Sequence, residues 1–264
     1  MRLGLIGHGA IGRELVAAWQ RNQLGPDVDL VAILVRRARP AQDRPVITHE
    51  RERFLACDLD VVVEAAGHGA VFAHAAACLE AGADLVITSI GALVDDRLRS
   101  RLEHKATTAG RRLILAAAGI GALDILAGAA VGGLTRVRMT VRKDPSAWYG
   151  TEAERCFDLG ALREPEVIYQ GAVREGARRY PQNVNIAAAV ALAGIGLDRT
   201  ELVIVADPTI QSHVIEIEAE GAFGRFTFME DVIPTSDNPK TGKLVAMALV
   251  KTIRQLASPV VLGL

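Results

Sequence analysis

Cysteine is scarce in this 264-residue chain: three thiols, Cys57, Cys78 and Cys156, odd in number and widely scattered. That excludes an even disulfide framework, and no pair has the close spacing of a zinc site. Buried free thiols in a reducing compartment are expected instead. Net charge is also lacking. The 30 Lys and Arg against 31 Asp and Glu leave −1, so no basic field exists to hold nucleic acid or an anionic membrane. Apolar runs such as Ile186 to Ile195 fall short of the roughly 20 residues that span a bilayer. No charged segment leads into an apolar one at the start, so no secretory leader is expected and the cytoplasm is the predicted location. Internal repeats, low-complexity tracts, catalytic carboxylate pairs, a nucleophile elbow and metal-ligand clusters are missing too, and no metal is expected. What remains is half hydrophobic and 23% charged, as in an ordinary globular protein, and long enough for two lobes.

The first twelve residues are the most informative. Met1 to Ile6 is a short apolar run that meets Gly7-His8-Gly9-Ala10-Ile11-Gly12 without a spacer, and an amphipathic stretch from Arg13 to Gln20 follows. Strand, glycine turn and helix in that order match G-x-G-x-x-G where a Rossmann fold needs it. Gly7 allows the tight turn, Gly9 lets backbone approach a pyrophosphate, and Gly12 lets helix pack on strand. The amides of Ala10, Ile11 and Gly12 then face the phosphates at the positive end of the helix dipole.

Apolar runs at Val28 to Val35, Asp58 to His68, Gly82 to Ser89 and Arg112 to Ala117 read as further strands. Val71 to Ala81 and Asp95 to Thr108 read as helices. This alternation predicts an α/β fold with a doubly wound parallel sheet, whose ligand sits outside the carboxyl ends of the strands. Gly67-His68, Ser89-Ile90-Gly91 and Ala118 to Gly121 fall on that rim, which makes Gly67 and Ser89 candidates for the dinucleotide. Near residue 134 the pattern changes. Thr135 to Arg142, Val203 to Val205, Val214 to Ala219 and Gly224 to Met229 alternate or cluster as strands of a second sheet, expected to be antiparallel. Asn185 to Gly194 is a small-residue helix, and helical period returns from Thr241 to Leu256. The predicted organisation is a dinucleotide-binding lobe over 1–120, an α+β lobe over 121–238, and a last helix over 239–264 that returns to the first lobe.

An acidic residue about 20 positions past the glycine motif would bind a ribose 2′-hydroxyl and mark NAD. Here the second strand ends in Val35-Arg36-Arg37-Ala38-Arg39. A guanidinium such as that of Arg36 can hold a 2′-phosphate, so the expected cofactor is NADP or NAD, with the arginines favouring NADP. A solvated loop is the other reading of these arginines.

Several segments together resemble the L-aspartate dehydrogenase family: Gly7 to Gly12, Val62 to Ala66, Thr88 to Leu93, Ala118 to Asp124, Tyr180 to Ala188, Ala206-Asp207-Pro208, Glu216-Ile217-Glu218 and Asn238-Pro239-Lys240-Thr241. They run nearly the full length in the family's order. The Pro-Gln-Asn-Val-Asn and Asn-Pro-Lys-Thr segments are the most specific. The resemblance implies a Rossmann lobe and an α+β catalytic lobe that also builds a homodimer. It implies reversible NAD(P)-linked oxidation of L-aspartate to iminosuccinate, which water converts to oxaloacetate and ammonia or which enters NAD biosynthesis. By position, Gly119 falls at a backbone contact to the dinucleotide and Asn185 near the nicotinamide.

Two departures stand out. The family's active-site histidine precedes the Glu-Ile-Glu segment, where this chain has Ile215; the nearby histidine is His213. Residues 213 and 215 share a strand face but lie about 6–7 Å apart along it, so either a register shift restores the role to His213 or the role is lost. Gly242 stands where the family prefers serine. For the substrate's carboxylates the available cations are Arg142, Lys143, Arg174, Arg178 and Lys240, with Lys143 and Lys240 placed first; solvent-facing charge is the alternative. Two further functions stay open at this point: a reductase for another imine or carbonyl, and a dinucleotide-sensing protein without turnover.

Overall fold

The structure, a computed structural model, describes residues 1–38, 45–117, 119–181, 185–235 and 238–263, and of 238–241 the backbone alone. It divides into two units, Met1–Ala118 with Ala246–Leu264, and Gly119–Val245.

The first unit contains β1 (Arg2–Ile6), α1 (Ala10–Gln20), β2 (Asp29–Leu34), β3 (Val46–Thr48), α2 (Arg51–Leu55), β4 (Val61–Glu64), α3 (His68–Glu80), β5 (Asp84–Ile87), α4 (Asp96–Ala109) and β6 (Leu113–Leu115). Its six strands lie in the order β3-β2-β1-β4-β5-β6, all parallel. That is the doubly wound arrangement, with the order reversing beside β1. Every residue of β4 and β5 is buried, because helices cover both faces of such a sheet. Leu3 and Leu5 of β1, Leu15 of α1, Ile33 of β2 and Val63 of β4 form one core with Leu249 and Ile253. The last two come from the chain's final helix, and burying each contributes about 1.5–3 kcal/mol. The ends of α4 follow from its sequence. Asp95 accepts from Leu98 N at 2.8 Å, and Gly110 turns left-handed at φ 63° to stop it.

The second unit contains α5 (Leu123–Val131), β7 (Leu134–Lys143), α6 (Ala153–Cys156), β8 (Glu166–Ala172), α7 (Val173–Arg179), α8 (Asn185–Ala193), β9 (Glu201–Ala206), β10 (His213–Gly221), β11 (Gly224–Val232), β12 (Pro234–Thr235), β13 (Asn238–Gly242) and the start of α9 (Leu244–Leu256). Its five-stranded sheet runs β11-β10-β7-β9-β8. Along β7 and β10 burial alternates, and Val137, Met139, Val141 and Lys143 turn inward beside His213, Ile215, Ile217 and Ala219. A Cβ at Gly194, just past α8, would lie 3.4 Å from Val137 Cγ2, so α8 packs on this inward face.

Three expectations need correction. The second sheet is mixed, not antiparallel: β7 and β9 are parallel, with Arg138 opposite Glu201. The chain between them contains β8, α7 and α8, long enough for the crossover that a parallel pair requires. Thr241 and Gly242 are strand, not helix. They belong to a hairpin in which Pro234 pairs with Gly242, and Lys243 N donates to Ile233 O at 2.9 Å, so α9 begins at Leu244. All three cysteines are free, but only Cys78 is buried; Cys57 is half-buried and Cys156 exposed. Burial pushes the Cys78 thiol up to about 12, which leaves it inert.

Candidate active site

The turn between β1 and α1 divides its work among three glycines. Gly7 takes φ +101° and donates its N–H to Leu34 O at 2.9 Å; a Cβ there would lie 2.7 Å from Ala65 O. Gly12 presses on the Gly7 carbonyl, and a Cβ would overlap that oxygen. Gly9 differs. It is exposed, at the cap of α1, and a Cβ added there meets nothing within 4 Å. No side chain caps α1 and no acidic residue sits in its first turn. The amides of Ala10, Ile11 and Gly12 have no intrahelical acceptor. An open glycine before uncapped amides fits the diphosphate of a dinucleotide.

Gly67 repeats the pattern at α3: φ +105°, open space at its Cβ position, no side-chain cap and no acid in the first turn. Behind it lies Glu64, the last residue of β4 and 1% exposed. Its Oε1 accepts from Ala66 N at 2.6 Å, Gly67 N at 2.8 Å and Ser89 Oγ at 3.0 Å, and its Oε2 from Ser89 N at 3.1 Å. Burial pushes this carboxyl above the ordinary carboxylate range, while the four donors restrain the rise. Glu64 thereby ties the turn after β4 to the turn after β5. Ser89 is buried, with its hydroxyl committed to this knot. Arg36 is exposed in the bend that follows β2; Arg39 lies outside the described residues.

In the second unit, Gly119 takes φ +84°, and a Cβ there would sit 3.0 Å from Val245 N. Lys143 ends β7 in a buried position, 3% exposed, with Nζ 5.6 Å from the Trp148 ring centroid. The Trp148 indole donates to Lys143 O at 3.4 Å. His213 opens β10 and is 4% exposed. Val214 pairs with Arg142, so the same register carries His213 beside Lys143. His213 and Ile215 do share the inward face. Across the next strand Ile215 faces Glu230 of β11, a half-buried residue whose Oε1 is buried without a hydrogen-bond partner among the described residues. Burial pushes the Glu230 carboxyl up to about 7, against a smaller opposing effect of the Gly121 amide. A Cβ at Gly242 would lie 2.6 Å from Val232 Cγ1 and 3.9 Å from His213 Nδ1, so glycine there leaves the imidazole room. Asn185 is the first residue of α8 and half-buried. Lys143, His213 and Glu230 thus join a cation, an imidazole and a carboxyl of raised pKa on one face.

Three of the candidate arginines hold acidic partners. Arg142 donates to the buried Asp207, from Nε at 3.2 Å and more closely from Nη2. Burial raises the Asp207 carboxyl, but the hydrogen bonds from Thr209 and Arg142 outweigh it and the net shift is downward. Arg174 holds Asp198 at 2.6 Å, and Arg178 lies 3.9 Å from Glu175. The side chain of Lys240 and residues 182–184 lie outside the described residues. Glu64 and Glu230 were missed as site residues, although each had a signal. Glu64 is a charge inside an apolar run, and Glu230 continues the Phe226, Phe228 alternation into the core. Among the described residues no group of three or more His, Cys, Asp or Glu side chains is placed to hold a metal. Among them too, no helix is long and apolar enough to cross a membrane.

A doubly wound sheet with this glycine turn, followed by a mixed-sheet unit, defines an oxidoreductase that uses NAD or NADP. Comparison narrows the class. Residues 7–116 match the NAD-binding domain of homoserine dehydrogenase, and residues 124–256 match the C-terminal domain of aspartate dehydrogenase. The L-aspartate dehydrogenase of Ruegeria pomeroyi is 40% identical over 97% of this chain and 92% of that protein. That of Pseudomonas aeruginosa is 38% identical over 96% of each. The crystal structure of aspartate dehydrogenase from Thermotoga maritima superposes with a TM-score of 0.77 over 100% of this chain and 99% of that one, at 24% identity, and so shares the fold. The chain belongs to the aspartate dehydrogenase family.

Proposed function

We propose that this protein is an NAD(P)-dependent L-aspartate dehydrogenase that interconverts L-aspartate with iminosuccinate, and so with oxaloacetate and ammonia. The observation that carries the reading is near-full-length identity to L-aspartate dehydrogenases, in a chain whose opening turn leaves Gly9 bare beside uncapped helix amides. On this reading Gly7, Gly9, Ala10, Ile11 and Gly12 cradle the diphosphate, and Gly67 offers a second uncapped helix start. Gly119 and Asn185 contact the nicotinamide half, and Ser89 acts on the dinucleotide through Glu64. Arg36 meets a 2′-phosphate when NADP is used. The bound nicotinamide supplies the hydride acceptor. Lys143, with Lys240, pairs with the substrate carboxylates, because a buried cation is best compensated by a buried anion. His213 handles protons on the same face, since an imidazole has an unperturbed pKa near operating pH. A homodimer acting in the cytoplasm completes the reading.

Ile215 favours one alternative, a reductase for another imine or carbonyl, because an alkyl chain neither transfers a proton nor binds a carboxylate. Following NADPH absorbance with oxaloacetate and excess ammonia separates the two. Consumption is the expected result. Consumption with other carbonyls alone would transfer the assignment to the reductase, and tight dinucleotide binding without any turnover would leave a sensor.

A further inference from the structure

The face that carries Lys143 and His213 holds one more ionisable group with no role in the account above. Glu230 sits at an inward position of β11, opposite Ile215. Its neighbours on the same face of β11 are Phe226, Phe228 and Val232, so its own strand offers no charge. Gly121 presents only its amide, Asp124 of α5 is exposed, and the titratable groups on the inward face of β7 and β10 are Lys143 and His213, while Tyr169 shares the face from β8 at the opposite edge of the sheet. A buried carboxylate oxygen without a hydrogen-bond partner is rare in a folded protein and calls for an explanation.

We propose that Glu230 is a catalytic residue, the base that takes a proton from the substrate's ammonium group. The proposal rests on the aspartate reading and deepens it. In the oxidative direction an N–H bond of the aspartate ammonium breaks, and the proton goes to Oε1 of Glu230, leaving a lone pair on nitrogen. The Cα–H bond then breaks, and its electron pair leaves with the hydrogen to the oxidised dinucleotide. The nitrogen lone pair forms the C=N bond of protonated iminosuccinate. Glu230 returns its proton to solvent, so one proton is released for each two-electron oxidation. The base must offer an oxygen without a hydrogen-bond partner, on the face of Lys143 and His213 and with a pKa near working pH, and Oε1 of Glu230 meets these conditions while the Gly121 amide acts on the same carboxyl.

The spacing suits a dicarboxylic amino acid. Lys143 on β7 and Glu230 on β11 flank β10, which separates them by about 10 Å across the strands and about 7 Å along them. A long lysine side chain and a four-carbon substrate fill that gap, with the carboxylate at Lys143 and the amine at Glu230. His213 lies in the row of Lys143, where on this reading it acts on the water that hydrolyses the imine.

The test compares wild type with Glu230→Gln, Glu230→Asp and His213→Ala. For wild type, kcat/KM for L-aspartate is expected to rise with pH through an inflection near 7. Glu230→Gln should lower kcat by about 100-fold or more and erase that inflection, and Glu230→Asp should restore part of the rate. A readout independent of turnover is carboxyl NMR of protein labelled at glutamate, without dinucleotide. One resonance should titrate near 7 in wild type and in His213→Ala and be absent from Glu230→Gln. Should Glu230→Gln not fold, a displaced inflection in Glu230→Asp carries the same test. Unimpaired turnover in Glu230→Gln, or no glutamate resonance near 7 that Glu230→Gln removes, overturns the role. A wild-type protein inert toward L-aspartate overturns the parent reading instead.

Discussion

Alanine at Gly9 and alanine at Gly12 should fail in different ways, and the contrast tests whether the opening turn holds a diphosphate. Gly9 has φ −83°, which alanine accepts, and its added Cβ meets nothing. Alanine is a poorer helix cap than glycine, but it also stiffens the unfolded chain, so the net change in stability stays within about 0.5 kcal/mol. The methyl group instead occupies the surface where a diphosphate must approach the backbone. Losing one hydrogen bond to a charged partner costs about 1.5–3 kcal/mol, or roughly 10- to 150-fold in affinity. At Gly12 the Cβ overlaps the Gly7 carbonyl oxygen, and backbone cannot swing aside. Alanine gains about 1 kcal/mol in helix propensity, while overpacking costs about 1–3 kcal/mol or more. The net loss of up to about 2 kcal/mol lowers Tm by up to about 8 °C in a chain of this size. Calorimetry with NADPH and NADH, beside melting of the free proteins, reads both effects. Unchanged affinity in Gly9→Ala would show that no phosphate rests on the turn. A Gly12→Ala protein that melts above wild type would show that the overlap is relieved at little cost.

Three further outcomes are expected. Arg36→Asp should weaken NADPH at least about tenfold more than NADH, since a phosphate contact is exchanged for like-charge repulsion; equal losses by calorimetry would mean that no 2′-phosphate is read there. His213→Ala should reduce turnover strongly and leave dinucleotide affinity nearly intact; an unchanged rate removes the imidazole from proton handling. Glu64→Gln puts an amide NH2 against a set of donors and should cost about 1–3 kcal/mol in denaturant unfolding. Because burial raises the Glu64 carboxyl in the fold, the native state binds more protons there, and its contribution to stability declines as pH rises above the ordinary carboxylate range. The glutamine variant should lack that slope, and a slope equal to wild type would show that Glu64 is not its source.

The first sheet was legible because each of its buried strands is a nearly unbroken apolar run, which only a sheet covered on both faces produces. The second sheet was less so. Alternation identified β7 and β10, but the direction of β9 depends on the path of β8, α7 and α8, and the two outer residues at the start of β8 are exposed, so its period is weak. At the site, the glycine turn was readable from spacing alone. The place of Ser89 was not, because its partner Glu64 lies 25 residues away in the sequence. The burial of Lys143 could not be separated from surface charge without the fold. The inward turn of Glu230 could have been read from the alternation of β11, where an acidic residue continues two aromatic ones.

The seating of Lys143 above Trp148 gives the chain an optical reporter of its own. The sequence holds two tryptophans, and Trp148 is fully buried with an ammonium 5.6 Å from its ring. Indole emission responds to nearby charge, so a substrate carboxylate that pairs with Lys143, as proposed, alters the light from this ring. With Trp19 replaced by phenylalanine, occupancy of the proposed carboxylate position becomes visible by fluorescence, with no dye attached and no turnover required.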